Sequence, residues 1–402
     1  MSRKSLFLPE NLKKLFSKEL VEKLLDLRRD LHRCPELAFK EERTIQRLQK
    51  ALSDISLKDV QRIAGTGLMA VVPGRDPEAP KVAIRGDIDA LPIQEATGLD
   101  YASQNLGIMH ACGHDIHATW TVGAAYLLAQ NPAEGDVVII LQPAEEIGQG
   151  ALAVIDSGAL DGVSAIFGAH VDRRFEVGKV VAQSGALAAS TDTFQIDLHG
   201  QGAHGARPQE GRDPIVGTSA LVMALQTVVS RRINPANPAV VTVGQIQAGR
   251  APNVIPEQAT LAGTLRAMNT ETRNLLKSEV QHITQSIAAT FKLRAKIQFT
   301  DGTPPLINPP EATEWARQAV IHVLGEDAVT PLGYLNMAGE DFAYYLEKIP
   351  GCFLRIGARE PGGEIIPAHS PKFYAADESI FVGSAVLAEV ARIASLGLNN
   401  RS

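Results

Sequence analysis

In SKELVEKLLDLRRDLHRC, Leu20, Leu24, Leu27 and Leu31 recur at helical spacing until Pro35 stops the run, which predicts an amphipathic helix. EERTIQRLQKALSDI carries a second helical pattern. Apolar runs of strand length then end at polar residues: KVAIRGDID (81–89), DVVIILQPAEE (136–146) and VSAIFGAH (163–170). Helical stretches such as HATWTVGAAYLLAQ lie between them. This alternation predicts an α/β layer with a largely parallel sheet. Such sheets bind ligands just beyond the carboxyl ends of their strands, where Asp87, Asp89, Glu145, Glu146 and His170 fall.

From about Thr191 the pattern changes. TFQIDLHG reads as a strand, then a helix opens with Asp213 as cap and Pro214 in its first turn. AVVTVGQIQ and QATLAGTLRA read as strands, a helix begins near Thr270, and RAKIQFT closes the series. That order, β-α-β-β-α-β, is a split βαβ arrangement and predicts a compact inserted α+β domain. After Pro304-Pro305 the first style resumes, with CFLRIGA as a strand and a long closing helix from ESIFVGSAVLAEVARIASL. The expected organisation is a discontinuous α/β domain, residues 1–190 and 303–402, with a second domain at 191–302.

Composition narrows the function classes. At 402 residues the chain exceeds one ordinary hydrophobic core, and 45% hydrophobic with 21% charged residues is the mixture of a soluble globular protein. A net charge of −6 leaves no basic footprint, which argues against nucleic acid or an anionic membrane as partner. Only Cys34, Cys112 and Cys352 occur, a sparse odd count that suits a reducing compartment. The N-terminal MSRKSLFLPENLKKLF lacks the apolar run of a signal peptide, and no stretch reads as ~18 apolar residues able to span a bilayer. A cytoplasmic protein is expected.

The chemistry concentrates in MHACGHDIH (109–117), which places one cysteine and three histidines in nine positions. Taken alone, the segment could hold a metal, carry a nucleophilic thiol or simply pack. The other strand ends change that balance. QPAEE leaves two adjacent carboxylates, FGAH a histidine, and PAHS (367–370) another. On a regular strand adjacent side chains face opposite ways, so one Glu suits a metal and its neighbour the water beside it. Cys112, His114, Glu146, His170 and His369 form a mixed N/O/S set suited to Zn, Mn, Co or Ni. Five ligands exceed one tetrahedral ion, so two ions sharing a bridging thiolate are the more economical reading.

The motifs GDIDALPIQEATG, MHACGHDIHAT, LQPAEE, GAHVD, GQGAHGARPQEGRDPI, APNVIPE, GTLRA, AGEDFAYYLEKIPG and AHSPKF, in that order, resemble the M20 metallopeptidase family. More narrowly, they resemble its amidohydrolase branch of hippurate, indole-acetyl-amino-acid and N-acyl-amino-acid hydrolases. The resemblance covers nearly the whole chain. It implies an α/β catalytic domain with a dinuclear metal centre and an inserted lid that commonly dimerises, giving a homodimer or higher homo-oligomer. Carried over by motif, Cys112, His114, Glu146, His170 and His369 are metal ligands for two divalent ions, with Cys112 bridging. Glu145 becomes the general base, acting on a metal-bound hydroxide and returning its proton to the departing amine. His204 of GAHGARP becomes the group facing the developing oxyanion, reaching the neighbouring subunit's site. The implied substrate is a small N-acyl amino acid, cut to a carboxylate and a free amino acid.

Around this set, Asp89 reads as a carboxylate orienting a ligand, and Asp115 as either that or a helix cap. Asn253 and Arg266 are candidates for the substrate carboxylate, since a guanidinium fork suits that group, although Arg266 could instead serve an internal ion pair. His110 and His117 read as structural. Relatives often carry proline soon after the histidine of GAH, but here the run is AHVDRRF, so Arg173 and Arg174 are expected to alter the pocket's edge. A dipeptidase or aminopeptidase on the same scaffold is the main alternative, and those branches carry His-x-Asp where this chain has Cys-x-His. A thiol hydrolase using Cys112 would leave the Glu pair and the distant histidines unexplained. A non-catalytic binding protein would be expected to have lost some of these groups.

Overall fold

The structure, a computed structural model, describes residues 10–400. The first nine residues of the segment weighed as a leader lie outside them. The helices and strands that position the site run, in chain order, as α1 (Lys18–Arg33), α2 (Glu42–Leu52), β1 (Lys58–Ile63), β2 (Gly67–Val72), β3 (Lys81–Asp87), α3 (His114–Gln130), β4 (Val137–Gln142), β5 (Val163–Glu176) and β6 (Val180–Val181). They continue with β7 (Asp192–His199), α4 (Pro214–Thr227), β8 (Ala239–Ala248), β9 (Gln258–Ala267), α5 (Thr270–Thr290), β10 (Arg294–Thr300), α6 (Pro310–Leu324), β11 (Gly351–Arg359) and α7 (Glu378–Asn399). The chain forms two compact units. One takes the chain up to Gly185 with Asn308–Tyr334 and everything from Tyr344 onward; the other is Ala186–Ile307 with Leu335–Ala343.

The first unit is built on a seven-stranded sheet ordered β1-β2-β4-β3-β5-β11-β6. Its centre is parallel, β4 to β3 to β5 to β11, and its margins are antiparallel. The central strands are buried on both faces, as parallel strands covered by helices must be. Sequence pattern passed over four of these elements. β1 is exposed at five of six positions and so shows no alternation, β2 is a short apolar run indistinguishable from core helix, and β6 is only two residues long. α6 did carry a helical pattern, burying Ala312, Trp315, Ala316, Ala319 and Val320.

Helix α1 starts at Ser17, whose side chain accepts from the Leu20 N–H, and buries Leu20, Leu24, Leu27 and Leu31. Each such leucine contributes roughly 1.5–3 kcal/mol relative to an exposed one. The closing helix α7 packs on α3 and α6. It is the one helix among the described residues long and apolar enough to cross a membrane, contrary to the sequence expectation, yet 72% of that window is buried inside the protein. Its apolarity is that of a core helix: Phe381 and Val386 are fully covered, along with Trp120 of α3. A Cβ at Gly123 would sit 2.1 Å from Ser384 Oγ, so the close crossing of α3 and α7 requires glycine there.

The second unit has a four-stranded antiparallel sheet ordered β8-β9-β7-β10, with α4 and α5 covering one face. Phe194, Ile196, Leu221, Leu225, Leu261 and Leu276 form its own core. Asp213 caps α4 by accepting from the Ile215 N–H at 2.8 Å, with Pro214 behind it. β8 is an edge strand, bulged between Val243 and Gln245.

Candidate metal centre

The candidate ligands come from strand β5, from the loops that follow β3 and β4, and from the loop after β11. β3 ends at Asp87, and Asp89 follows two residues later; both are buried. The loop 109–113 enters α3 through Gly113, whose φ of +87° and whose close approach to Val171 (a Cβ would lie 2.5 Å from Val171 Cγ2) exclude other residues. That turn places His114 at the first helical position and Cys112 just before it. β4 ends at Gln142, and Ala144, at φ +56°, swings the chain so that Glu145 and Glu146 leave the strand.

Here the structure corrects the sequence reading twice. The Glu pair is not on a strand, so its carboxylates do not point apart: Glu145 Oε2 and Glu146 Oε1 each lie 3.8 Å from His114 Nε2. His170 does not end its strand either. β5 continues to Glu176 because β11 runs parallel beside it, pairing Arg355 with His170 and Arg359 with Glu176.

Cys112 Sγ lies 3.2 Å from His170 Nε2, and His369 Nε2 lies 3.4 Å from Glu146 Oε2. The donor atoms of Cys112, His114 and His170 all fall within 4.8 Å of one another, as do those of Cys112, Glu146 and His369. Cys112 is the member common to both trios. His369 adopts φ +65° and is anchored through its N–H to the Ala111 carbonyl at 2.8 Å, while its side chain stays half exposed.

The surroundings prepare these atoms for a cation. His170 Nδ1 donates to the Val171 carbonyl at 2.6 Å, leaving Nε2 with a lone pair. His114 Nδ1 donates to Asp89 Oδ1 at 3.2 Å; burial opposes its charge, but Asp87 and Asp89 hold the ring well above its ordinary value, so its Nε2 carries a proton that a cation would displace. Two buried atoms, His114 Nε2 and Glu146 Oε1, have no hydrogen-bond partner. Buried polar atoms are rarely left so, and here both are aimed at the same cluster of donors. Burial and then the charge of Glu146 push the Cys112 thiol well up, and burial pushes Glu146 up to about 7. Burial holds His170 well below its ordinary value, so it is neutral. Protons thus occupy the acidic donors, and a cation would displace them. The donor set fits a divalent ion.

A third trio, Asp87, His114 and His117, does not fit one. His117 Nδ1 donates to Asp87 Oδ1 at 2.6 Å, its Nε2 accepts from the Val171 N–H at 3.0 Å, and Asp87 is also paired with Arg85 at 2.5 Å. His117 is structural, as its sequence context suggested, and braces the residue after His170.

Asp89 does more than orient His114. Its two oxygens accept from the Glu145 N–H at 3.1 Å and the Glu146 N–H at 3.0 Å. Sequence reading missed the partner of this grip, Glu41: it is fully buried and accepts from the Ala144 N–H at 3.0 Å. Burial pushes the Glu41 carboxyl up to about 7. Nothing in the local sequence distinguishes it from an ordinary acidic helix start. Asp115 is neither cap nor ligand-orienting group. It accepts from Arg28 Nε at 2.9 Å and His32 Nδ1 at 2.8 Å, tying α3 to α1. Burial opposes its charge, but Arg28 and His32 hold its carboxyl far below the usual range. Arg28 did leave a signal, as a charged residue on the apolar stripe of α1.

The remaining candidates belong to the second unit. His204 and Val254 pair in a two-stranded ladder, and the Gly205 N–H donates to the Asn253 carbonyl at 2.8 Å, so His204 and Asn253 are neighbours, both exposed. Arg266 lies half-buried on β9 and forms no ion pair among the described residues, against the structural alternative. Burial lowers its pKa, with Asp192 opposing.

Comparison with known proteins agrees with this arrangement. The profile of peptidase family M20/M25/M40 matches residues 83–393. The N-acetyl-L-cysteine deacetylase of Bacillus subtilis (strain 168) is 43% identical over 340 residues, covering 84% of this chain and 81% of that protein. The IAA-amino acid hydrolase ILR1-like 2 of Arabidopsis thaliana is 35% identical, covering 93% and 86%. Among solved structures, the dinuclear metal binding peptidase YXEP of Bacillus subtilis superposes with a TM-score of 0.83 at 36% identity, covering 95% of this chain and 99% of that one.

Proposed function

The chain belongs to peptidase family M20/M25/M40 and is a metal-dependent hydrolase of linear amides, and from that premise we propose that it cleaves N-acyl-L-amino acids to a carboxylate and a free amino acid. The observation that carries the reading is the pair of partnerless buried atoms, His114 Nε2 and Glu146 Oε1, set among Cys112, His170 and His369. Two relatives support the substrate class, because their names each describe cleavage of an acyl group from an amino acid.

In this reading Cys112, His114, Glu146, His170 and His369 would hold two divalent ions. Bound Mn, Zn, Co or Ni supplies Lewis acidity toward a carbonyl oxygen and toward water. Glu145, whose carboxylate clusters with His114 and Glu146, takes the proton of the attacking water and delivers it to the departing amine nitrogen. Asp89 fixes both carboxylates through their backbone N–H groups, so the base and its neighbouring ligand move as one. His204 donates to the developing oxyanion, and Arg266 and Asn253 receive the substrate carboxylate, a role supported by the half-buried Arg266 guanidinium, which forms no ion pair among the described residues.

The enzyme works as a homodimer. Support comes from edge strand β8 and from Ile215, Val216 and Met223 on α4, exposed apolar residues on one unit. The three cysteines are free thiols, which supports a cytoplasmic setting.

The test is release of free amino acid from N-acetyl, N-benzoyl and long-chain N-acyl amino acids by stripped and metal-restored protein. Activity on these amides only with metal is expected. Metal-dependent turnover confined to unblocked dipeptides would replace the reading with a dipeptidase, and equal activity after stripping would sink it.

A further inference from the structure

Arg173 follows His170 by three residues on β5, and its side chain is 1% exposed. The sequence suggested a cation at the pocket's edge; the structure shows one committed elsewhere. Nη1 donates to the carbonyls of Ala358, at 3.4 Å, and Tyr374, at 3.0 Å. Nη2 donates to the Glu364 carbonyl at 2.8 Å and to Glu360 Oε2 at 3.2 Å, while the guanidinium lies 4.2 Å from the centre of the Tyr374 ring. Those acceptors are the entry, the middle and the exit of a single loop, residues 360–374, and His369 lies on it. Arg359 adds to the same seam, donating to the Arg173 carbonyl and to the Gly363 carbonyl, each at 3.1 Å.

Beyond its backbone tie to the Ala111 carbonyl, little positions the His369 ring. Its side chain is 53% exposed, so packing does not fix the ring. Its φ of +65° is a conformation that a non-glycine residue keeps only when its surroundings impose it. A loop of this length with its ends drawn together is an Ω-loop, and a forked, permanently charged donor suits the closing of several carbonyls at once.

We infer that Arg173 is a positioning residue for metal binding: by strapping the 360–374 loop to β5, it holds His369 against Glu146 and Cys112. The inference rests on the reading of His369 as a ligand. His170 and the strap that places His369 thus come from one strand, three residues apart.

The experiment is zinc retention by the full-length holoprotein against a competing chelator, read by elemental analysis, with urea unfolding alongside. His369→Ala should loosen one ion and leave the other. Arg173→Met should loosen the same ion by about 10–100-fold, the usual effect of removing a ligand's support, and spare the other. Arg173→Lys should fall between, since an ammonium reaches fewer of the forked acceptors. If Arg173→Met holds both ions like the wild type while His369→Ala loses one, the strap is overturned and the ligand reading stands. Equal weakening of both ions, in step with a lower urea midpoint, would reduce Arg173 to general stability and overturn it too. Retention of both ions by His369→Ala would remove the ligand reading and this inference with it. Should Arg173→Met fail to fold, Arg173→Lys decides, and wild-type retention there rejects the strap.

Discussion

At the scale of single residues, neighbours in sequence are given different work by their surroundings. Glu145 and Glu146 share the Asp89 grip, yet only Glu146 has an oxygen buried without a partner and only Glu146 meets His369. Glu145→Gln is therefore expected to keep its metal, by elemental analysis, and to lose turnover by about 10²–10⁴-fold, the range for a general base. Wild-type turnover would remove Glu145 from the proton transfer. His204→Ala should lower kcat by about 10²–10³-fold, as for loss of one oxyanion donor, with the metal content unchanged. A changed KM alone would instead assign His204 to binding. The candidate donors were legible at this scale because Cys, His and Glu in short motifs bordering apolar runs have few other reasons to gather. Glu41 and Arg173 were not, because a buried carboxylate and a buried guanidinium look in sequence like any surface charge.

At the scale of elements, pairing decides what periodicity cannot. The apolar run 163–170 marks the start of β5, but its end at Glu176 depends on β11, nearly two hundred residues away in the chain. In the second unit, Asp192 at the start of β7 is buried and accepts from Arg273 at 2.8 and 2.7 Å, with Lys277 3.0 Å away, both on α5. Burial alone would raise its pKa, but these cations hold the carboxyl below its ordinary value. A depressed carboxylate stabilises the fold above its unfolded pKa of roughly 3.9 and loses that contribution as pH falls through the folded value. The thermal midpoint of the wild type should exceed that of Asp192→Asn at pH 6, with the gap narrowing progressively below about pH 4. A gap independent of pH would mean that the ion pairs contribute little.

At the scale of the whole molecule, the proposed homodimer and the role proposed for His204 are open to test. Replacing Met223, 71% exposed on α4, with Glu should convert dimers to monomers by light scattering if that face is the interface. Mixing Glu145→Gln with His204→Ala distinguishes two arrangements. If each site uses the partner subunit's histidine, mixed dimers contain one intact site and activity returns; if each site uses its own, the mixture stays inactive. The closing helix carries a further lesson at this scale. Composition alone makes α7 a membrane candidate, and only its burial against α3 and α6 identifies it as a core element.

The sequence by itself determined the α/β class, the main elements in both parts of the chain, and the five candidate donors that the fold gathers. Those follow from local physics: apolar spacing reports which face is buried, caps and prolines mark ends, and metal chemistry restricts residue types. Tertiary structure alone decided how far β5 runs, that the Glu pair leaves its strand and turns both carboxylates toward His114, and that Glu41, Arg85 and Arg173 are internal supports. Each of these rests on partners distant in sequence. A charge can be buried only where such partners satisfy it, and no local pattern records where they will be.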